Sequence, residues 1–178
     1  SEKTRKKFKV NSSVIPNGIS EIFLNQDSAV GDYLAFIGRI DIYNKGLDLL
    51  LKAVKEIKIK LIIAGKGKDI TKLKNMIREM NLTDLIVYAG YLSESEKLSF
   101  ISNSKFIIMP SRFEGQGIVA LEAAALGKPI VVSDIPELRY VTENRFGVSF
   151  RSEDVNSLRQ AIEYLIKNEF LIIEMGNR

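Results

Sequence analysis

The sequence has no cysteine and no histidine among its 178 residues. Without cysteine, the chain cannot form disulfides, present a thiol nucleophile or bind zinc through sulfur. Without histidine, it supplies neither an imidazole acid–base group nor the usual imidazole metal site. Any chemistry must therefore use other side chains or the main chain. The lack of cysteine also suits a reducing compartment.

Long apolar runs are missing as well. The longest apolar stretches, such as residues 106–109 and 129–132, have the length of strands. A membrane-spanning helix needs about 20 apolar residues, and no secretory signal is apparent. We therefore expect a cytoplasmic protein, and we leave open an association of the full-length protein with the inner face of a membrane.

The charge is basic but not concentrated. The net charge is +4 and the pI is about 9.2, which would suit a polyanionic partner. The lysines are spread along the chain, however, and an excess of lysine is commonly a solvated surface. We therefore expect no nucleic acid partner.

The length and the 46% apolar content fit one ordinary globular domain. Residues 1–13 are polar and basic, beginning with SEKTRKKFK, and VIPNGIS follows at residues 14–20. We interpret residues 1–13 as a basic linker that enters a domain. Residues 14–178 are then a single domain.

Short apolar runs alternate with amphipathic segments from Tyr33 onward. The runs are YLAFIGRI, KLIIAG, LIVYAG, KFIIMP, KPIVVS and FGVSF. The segments between them include GLDLLLKAVKEI, DITKLKNMIREM, SESEKLSFISNS and GIVALEAAALG. A last helix is expected to start with Ser152 as its cap, followed by acidic Glu153 and Asp154 near its positive end. This alternation predicts a doubly wound, Rossmann-like α/β fold with a parallel sheet, and ligands at the carboxyl ends of the strands.

The most informative segment is PSRFEGQGIVALEAAALG, in which a loop of residues 114–117 opens into an Ala-rich helix. Glycine lets the backbone approach a ligand closely, and the unpaired N–H groups of a helix start suit a phosphate. Carboxylates beside such a site suggest bonds to hydroxyl groups, as in a nucleotide sugar. The candidate ligand residues are Glu114, Gly115, Gln116, Gly117, Ile118 and Glu122. The same residues also fit an exposed turn and a solvated helix face.

Two cations, Arg39 and Lys45, flank the loop after the first predicted strand, in GRIDIYNKG. At the carboxyl edge of the sheet they would neutralise a diphosphate. Cations in such loops are also often merely solvated, so this pair alone leaves both interpretations open.

The ordered set VIPNGIS, GRIDIYNKGLDLLLKAV, LIIAGKGKD, VYAGYLSESEK, PSRFEGQGIVALEAAALGKPIVVSDIPEL and FGVSF resembles the group 1 glycosyltransferases, now glycosyltransferase family 4. The resemblance extends from Val14 onward. It implies the C-terminal, donor-binding half of a GT-B fold. It further implies a retaining transferase that moves a hexose from a UDP-, GDP- or ADP-sugar to an acceptor held by a missing N-terminal domain, so that this chain alone would be largely inactive.

The resemblance also implies roles for individual residues. Arg39 and Lys45 would hold the diphosphate, Glu114 the hexose and Glu122 the ribose. Main-chain amides from Gly115 to Ile118 would contact the phosphate or the sugar, with Leu92 beside the nucleobase and Lys97 near the nucleotide. Arg39, Lys45 and Glu114 would take part in catalysis, by stabilising the leaving diphosphate and by orienting the sugar.

Two further expectations concern absences. No Asp-x-Asp motif appears at the site, so we expect donor binding without a metal and without a cofactor. Tyr140 stands where many relatives carry glutamate, so we expect no ligand role for its loop.

Other hypotheses remain open at this stage. Gly65 and Gly67 follow a predicted strand as in nicotinamide-binding proteins, but the third glycine of that fingerprint is missing. Nearer alternatives are a nucleotide-sugar epimerase or a phosphorylase-like enzyme of GT-B fold, and a non-catalytic nucleotide-binding module. A phospho-receiver domain is disfavoured, since the first strand ends in Gly38 and Arg39 instead of aspartate.

Overall fold

A computed structural model describes residues 18–24 and 31–176 of the chain. The predicted basic linker, residues 1–13, lies outside the described residues. The six strands of the described part are β1 (Leu34–Ile37), β2 (Leu61–Ala64), β3 (Ile86–Gly90), β4 (Phe106–Met109), β5 (Ile130–Ser133) and β6 (Gly147–Phe150). They form one parallel sheet in the order β3-β2-β1-β4-β5-β6, which confirms the predicted Rossmann-like architecture.

In the described part of the chain, seven α-helices connect or follow these strands. They are α1 (Leu47–Ile57), α2 (Ile70–Glu79), α3 (Glu94–Ser102), α4 (Ile118–Ala125), α5 (Arg139–Glu143), α6 (Val155–Lys167) and α7 (Glu169–Gly176). Two short 3₁₀ helices lie at Glu21–Phe23 and Pro136–Leu138. The helices α5 and α7 were not predicted. Among the described residues, no helix is long and apolar enough to cross a membrane.

Both faces of the sheet are covered by helices. Leu34 and Phe36 of β1 belong to the core shared with α1, α2, α6 and α7. Ala35 and Ile37 point to the other face, because side chains alternate along a strand, and pack in the core shared with α3, α4 and α5. All four residues of β1 are therefore buried, as are those of β4 and β5. Such continuous burial explains the unbroken apolar runs of the central strands.

The start of α6 differs from its predicted form. The cap is Asp154 and not Ser152, because the Asp154 side chain accepts a hydrogen bond of 3.0 Å from the Ser157 amide. The Ser152 amide instead donates to Asp134 Oδ1 at 2.8 Å, and Glu153 has a positive φ of 65°. Ser152 and Glu153 therefore form a turn before the helix.

The sheet order places a crevice between β1 and β4. The chain continues outward from β1 to β2 and from β4 to β5, so the loops leaving these two central strands diverge. Ligands of open α/β sheets bind in such a crevice at the carboxyl ends of the strands. The loop after β1 carries Arg39 and Lys45, and the loop after β4 carries Glu114, as the sequence predicts.

Candidate functional site

Two adjoining cavities lie at this edge of the sheet. The first, which we call the glycine-loop cavity, has a volume of about 330 Å³, and the second, the Tyr91 cavity, of about 540 Å³. Both are lined by Ile37, Gly38 and Val119, so they meet where β1 ends and α4 begins. Their volumes lie in the range of small-molecule sites.

The structure distributes the predicted site residues between these cavities. The glycine-loop cavity is lined by Lys45, Glu114, Gly115, Gln116, Gly117 and Ile118. The Tyr91 cavity is lined by Arg39, Leu92 and Lys97. Glu122 lines neither of them and lies buried behind Lys97. The two predicted diphosphate ligands, Arg39 and Lys45, therefore line different cavities.

Glu114 is held by two neighbours. Its Oε1 atom accepts a hydrogen bond from Lys45 Nζ at 2.5 Å and another from Ser111 Oγ at 2.8 Å. The side chains of Lys45 and Glu114 are only 15% and 9% exposed. The ion pair thus fixes the carboxylate in the cavity wall, where charge-assisted bonds are strong. Ser111 was not predicted, although it precedes Glu114 by three residues within PSRFEG.

Only one of the two carboxylate oxygens of Glu122 has a hydrogen-bond partner among the described residues. Its Oε1 atom accepts a hydrogen bond of 2.5 Å from Lys97 Nζ, while its Oε2 atom is buried without a hydrogen-bond partner among the described residues. A buried carboxylate oxygen without a donor is costly. A hydroxyl group from a ligand would satisfy it. Ile118, one helical turn earlier, is 44% exposed, so the helix passes from the cavity into the core within four residues.

The backbone at the start of α4 needs glycine at position 117. Gly117 has φ of +69°, and a β-carbon there would lie 2.7 Å from Leu138 Cδ2. The hydroxyl of Tyr140 donates to the carbonyl oxygens of Gln116 and Gly117, at 2.9 and 3.1 Å. Burial, followed by the charge of Glu114, raises the pKa of Tyr140 to about 12. Tyr140 therefore braces the loop through protein contacts, which sequence reasoning missed.

The loop between β1 and α1 is also held by hydrogen bonds and an ion pair. Asp41 accepts hydrogen bonds from the Asn44 side chain and amide, at 2.9 and 3.2 Å, and pairs with Lys68 at 3.2 Å. The bonds to Asn44, and then the charge of Lys68, lower the pKa of Asp41 to about 2. The Ile42 amide also donates a hydrogen bond of 2.9 Å to Asp69 Oδ2. This network joins residues within the loop that carries Arg39 and Lys45.

Arg39 differs from Lys45 in its surroundings. Its side chain is exposed and has no hydrogen bond or ion pair among the described residues. The Arg39 guanidinium at the edge of the Tyr91 cavity is therefore available to bind an anion. The same cavity is lined by Lys66 and Tyr91, which were not predicted, with Lys66 Nζ 4.5 Å from the centre of the Tyr91 ring.

The glycine pair that prompted the nicotinamide hypothesis has a packing role. A β-carbon on Gly65 would lie 1.8 Å from the Gly38 carbonyl oxygen, and one on Gly67 would lie 2.2 Å from that of Ile40. Both glycines are therefore required where the loops after β1 and β2 touch. Their presence does not call for a dinucleotide.

A family model described as glycosyl transferases group 1 matches residues 26–178. The chain belongs to this family. It is 34% identical over 173 residues to the uncharacterized glycosyltransferase MJ1178 of Methanocaldococcus jannaschii. The aligned region covers 95% of this chain and 48% of that protein. It is 31% identical over 139 residues to glycogen synthase of Mycobacterium tuberculosis, which covers 75% of this chain and 33% of that protein. This group 1 glycosyl transferase chain thus spans less than half the length of these curated relatives.

Solved structures share its fold. TarM from S. aureus, crystallised as a mutant with fondaparinux, alpha-GlcNAc-glycerol and UDP, matches with a TM-score of 0.86 and 24% identity over 99% of this chain and 37% of that chain. Sucrose-phosphate synthase from Thermosynechococcus elongatus matches with a TM-score of 0.84 and 23% identity over 98% of this chain and 49% of that chain. These likenesses show that this group 1 glycosyl transferase chain has the Rossmann-like fold of GT-B glycosyltransferases.

Proposed function

We propose that the chain is the C-terminal, donor-binding half of a retaining family 4 glycosyltransferase. The complete protein transfers a hexose from a nucleoside diphosphate sugar to an acceptor held by an N-terminal domain. The observation that carries this proposal is the meeting of two cavities at Gly38, one with a glycine loop and a carboxylate, the other with cations and an aromatic ring. In a nucleotide sugar the hexose, the diphosphate and the nucleoside follow one another in the same order as the glycine-loop cavity, the meeting point and the Tyr91 cavity.

The donor then lies across both cavities. Its nucleoside occupies the Tyr91 cavity beside Leu92 and Lys97, where the orphaned Oε2 atom of Glu122 accepts a ribose hydroxyl after a local side-chain movement. Its hexose occupies the glycine-loop cavity against Glu114. The diphosphate bridges the two at the start of α4, whose free N–H groups and positive dipole end favour an anion.

The chemistry requires stabilisation of the leaving group. As the bond between the anomeric carbon and the diphosphate oxygen breaks, negative charge grows on the diphosphate, and Arg39, Lys45 and the amides of α4 stabilise it. The departing diphosphate accepts the proton of the acceptor hydroxyl, whose oxygen attacks the same face of the sugar. Glu114 orients the sugar. In this scheme the protein supplies no nucleophile, metal or cofactor.

The rest of the cleft is assigned to other parts of the full-length protein. An N-terminal domain would close over the donor, exclude water and present the acceptor. We propose that this protein acts in the cytoplasm, and that the full-length protein associates with the inner face of the membrane.

A ligand panel tests the proposal. Thermal unfolding of the chain is followed with UDP, GDP, ADP, their hexose conjugates and NADH, since a ligand that binds only the folded state raises the melting temperature. At least one nucleoside diphosphate and its sugar conjugate should raise it, while NADH should not. Stabilisation by NADH alone, or by no nucleotide, would contradict the proposal. Release of an epimerised nucleotide sugar would support the epimerase alternative instead.

A further inference from the structure

Arg112 joins three loops at the carboxyl edge of the sheet. It lies between β4 and α4, and its own amide donates to the Asn44 carbonyl at 2.9 Å. Its Nη1 and Nη2 atoms bind both oxygens of Asp48, at 2.7 and 2.9 Å. Its Nη1 atom also donates to the Tyr43 carbonyl at 2.7 Å, and its Nε atom to Glu153 at 2.6 Å. The loops after β1, β4 and β6 are thereby connected through one side chain.

The guanidinium of Arg112 is almost buried, and it lines neither the glycine-loop cavity nor the Tyr91 cavity. Its side chain is 9% exposed, and its centre lies 4.6 Å from the Tyr43 ring. The hydrogen bonds to Asp48 and then Glu153 raise the pKa of Arg112 above its usual value. The planar fork of arginine can serve all these acceptors at once, whereas the single ammonium of lysine cannot.

Arg112 and the residues that it binds, which we call the Arg112 clamp, lie next to residues of the proposed donor site. Tyr43 and Asn44, the residues that Arg112 binds through their carbonyls, directly precede Lys45. On its own loop, Arg112 stands between Ser111 and Glu114, which are hydrogen-bonded to each other. The clamp therefore sets how the loop of Lys45 faces the loop of Glu114.

We propose that Arg112 is a positioning residue that preorganises the donor site by fixing the loops of Lys45 and Glu114 against each other. This inference rests on the proposed function, because it assigns the clamp a role in holding the nucleoside diphosphate. Loops that are already fixed need no further ordering when the ligand binds, so the clamp increases affinity. Asp48 and Glu153 act through Arg112, without touching the ligand.

Two substitutions separate positioning from charge. Arg112→Lys keeps the charge but loses the fork, and Asp48→Asn removes a negative charge near the anion site. Electrostatics alone predicts that Asp48→Asn tightens nucleoside diphosphate binding, because a repulsive charge is lost. If the clamp positions the loops, Asp48→Asn should instead weaken nucleoside diphosphate binding. Each variant should bind about three- to tenfold more weakly, the range expected for the loss of bonds between charged groups partly compensated by relaxation.

The matched control is Arg159→Lys. Arg159 also binds two carboxylates, Glu163 at 2.8 Å and Glu56 at 3.1 Å, but it joins α6 to α1 and lines neither cavity. Its replacement should leave the affinity unchanged. In a Lys45→Ala background, Arg112→Lys should have little further effect, since non-additivity shows that one residue acts through the other.

Calorimetry with the nucleoside diphosphate found in the ligand panel decides between these outcomes, with melting temperatures recorded for every variant. Weaker binding by both Arg112→Lys and Asp48→Asn, with an unchanged Arg159→Lys control, supports the inference. Unchanged or tighter binding by these two variants, while the parent chain binds normally, overturns it and leaves the proposed function intact. A lower melting temperature with unchanged affinity also overturns it. If the parent chain binds no nucleotide, the result contradicts the proposed function itself.

Discussion

At the scale of single residues, the two glutamates of the site have different surroundings. Glu114 stands in the wall of the glycine-loop cavity and shares one oxygen with Lys45 and Ser111. Glu122 is buried on α4 with one oxygen on Lys97 and the other without a donor among the described residues. The first arrangement presents a fixed carboxylate to a cavity, and the second leaves one buried carboxylate oxygen without a hydrogen-bond donor among the described residues.

The two glutamates should therefore fail differently when replaced. Glu122→Ala should weaken a nucleoside diphosphate and its sugar conjugate equally, about tenfold, because both carry the ribose. Glu114→Ala should weaken only the conjugate. The sugar-free nucleotide should bind unchanged or slightly tighter, since Lys45 is released from its ion pair. Calorimetry on the four protein–ligand pairs measures this. Equal losses for the free nucleotide in both variants would show that the roles are not separate.

The two cations should also be distinguishable. Arg39→Ala and Lys45→Ala should each weaken a nucleoside diphosphate about tenfold and leave the free nucleoside almost unaffected. Only Lys45→Ala should lower the free energy of unfolding, because it leaves the little-exposed Glu114 carboxylate without its ion-pair partner. Parallel calorimetry and urea unfolding test both statements. Unchanged affinities in both variants would make Arg39 and Lys45 ordinary surface cations.

At the scale of elements, the start of α4 depends on the left-handed backbone of Gly117. Gly117→Ala should lower the free energy of unfolding by about 1–3 kcal/mol, because of the positive φ and the approach to Leu138. Gly115→Ala is the control, since a β-carbon there meets no atom within 4 Å. Urea unfolding of the two variants compares them. Equal stability losses would mean that the conformation of Gly117 is not required.

The brace from α5 to this helix start has a pH signature. Tyr140→Phe removes the hydroxyl bonded to two carbonyls and should cost about 1–2 kcal/mol. The pKa of Tyr140 is raised from 10.0 to about 12, so its contribution is complete below pH 10 and is lost as the pH rises toward 12. The parent chain should therefore lose more stability over this interval than the variant. Parallel slopes of unfolding free energy against pH would contradict this.

Most elements could be predicted from local patterns, but their contacts could not. The six strands and five of the helices follow from apolar periodicity and turn residues. The unpredicted α5 spans only Arg139–Glu143, and α7 follows an interruption at Asn168, where Asn168 Nδ2 donates to the Tyr164 carbonyl at 2.7 Å. Short helices carry little periodic signal. A single polar residue does not mark a helix break unless its own contacts are known.

The candidate site shows the same division. A glycine loop before a helix and cations after a strand are visible in sequence, because the chemistry is local. The clamp of Arg112 joins it to Asp48 and Glu153, which are 64 and 41 residues away along the chain. The burial of Glu122 behind Lys97 likewise depends on the packing of α3 against α4. Such pairings become visible only once the sheet order brings the loops together.

At the scale of the whole molecule, the proposed site is an open one. Its two cavities open at the carboxyl edge of the sheet, and the chain covers less than half the length of relatives in the same family. Open sites leave the reacting atoms in water, which weakens electrostatic stabilisation. The division of labour proposed above therefore predicts donor binding without efficient transfer.

The chain by itself should bind a nucleoside diphosphate weakly and turn over little donor. Sugar transfer to added acceptors and donor hydrolysis are measured for the chain and for a longer protein that includes the proposed N-terminal domain. Transfer should be found only with the longer protein. Efficient transfer by the 178-residue chain would show that the acceptor site lies within it.

In the proposed function, the two cavities together hold one nucleotide sugar. A crystal structure of the chain with a bound nucleoside diphosphate sugar tests this most directly. We expect the nucleoside in the Tyr91 cavity, the diphosphate between Arg39 and Lys45 at the start of α4, and the hexose against Glu114. A donor bound outside these cavities, or one bound with its sugar in the Tyr91 cavity, would contradict it.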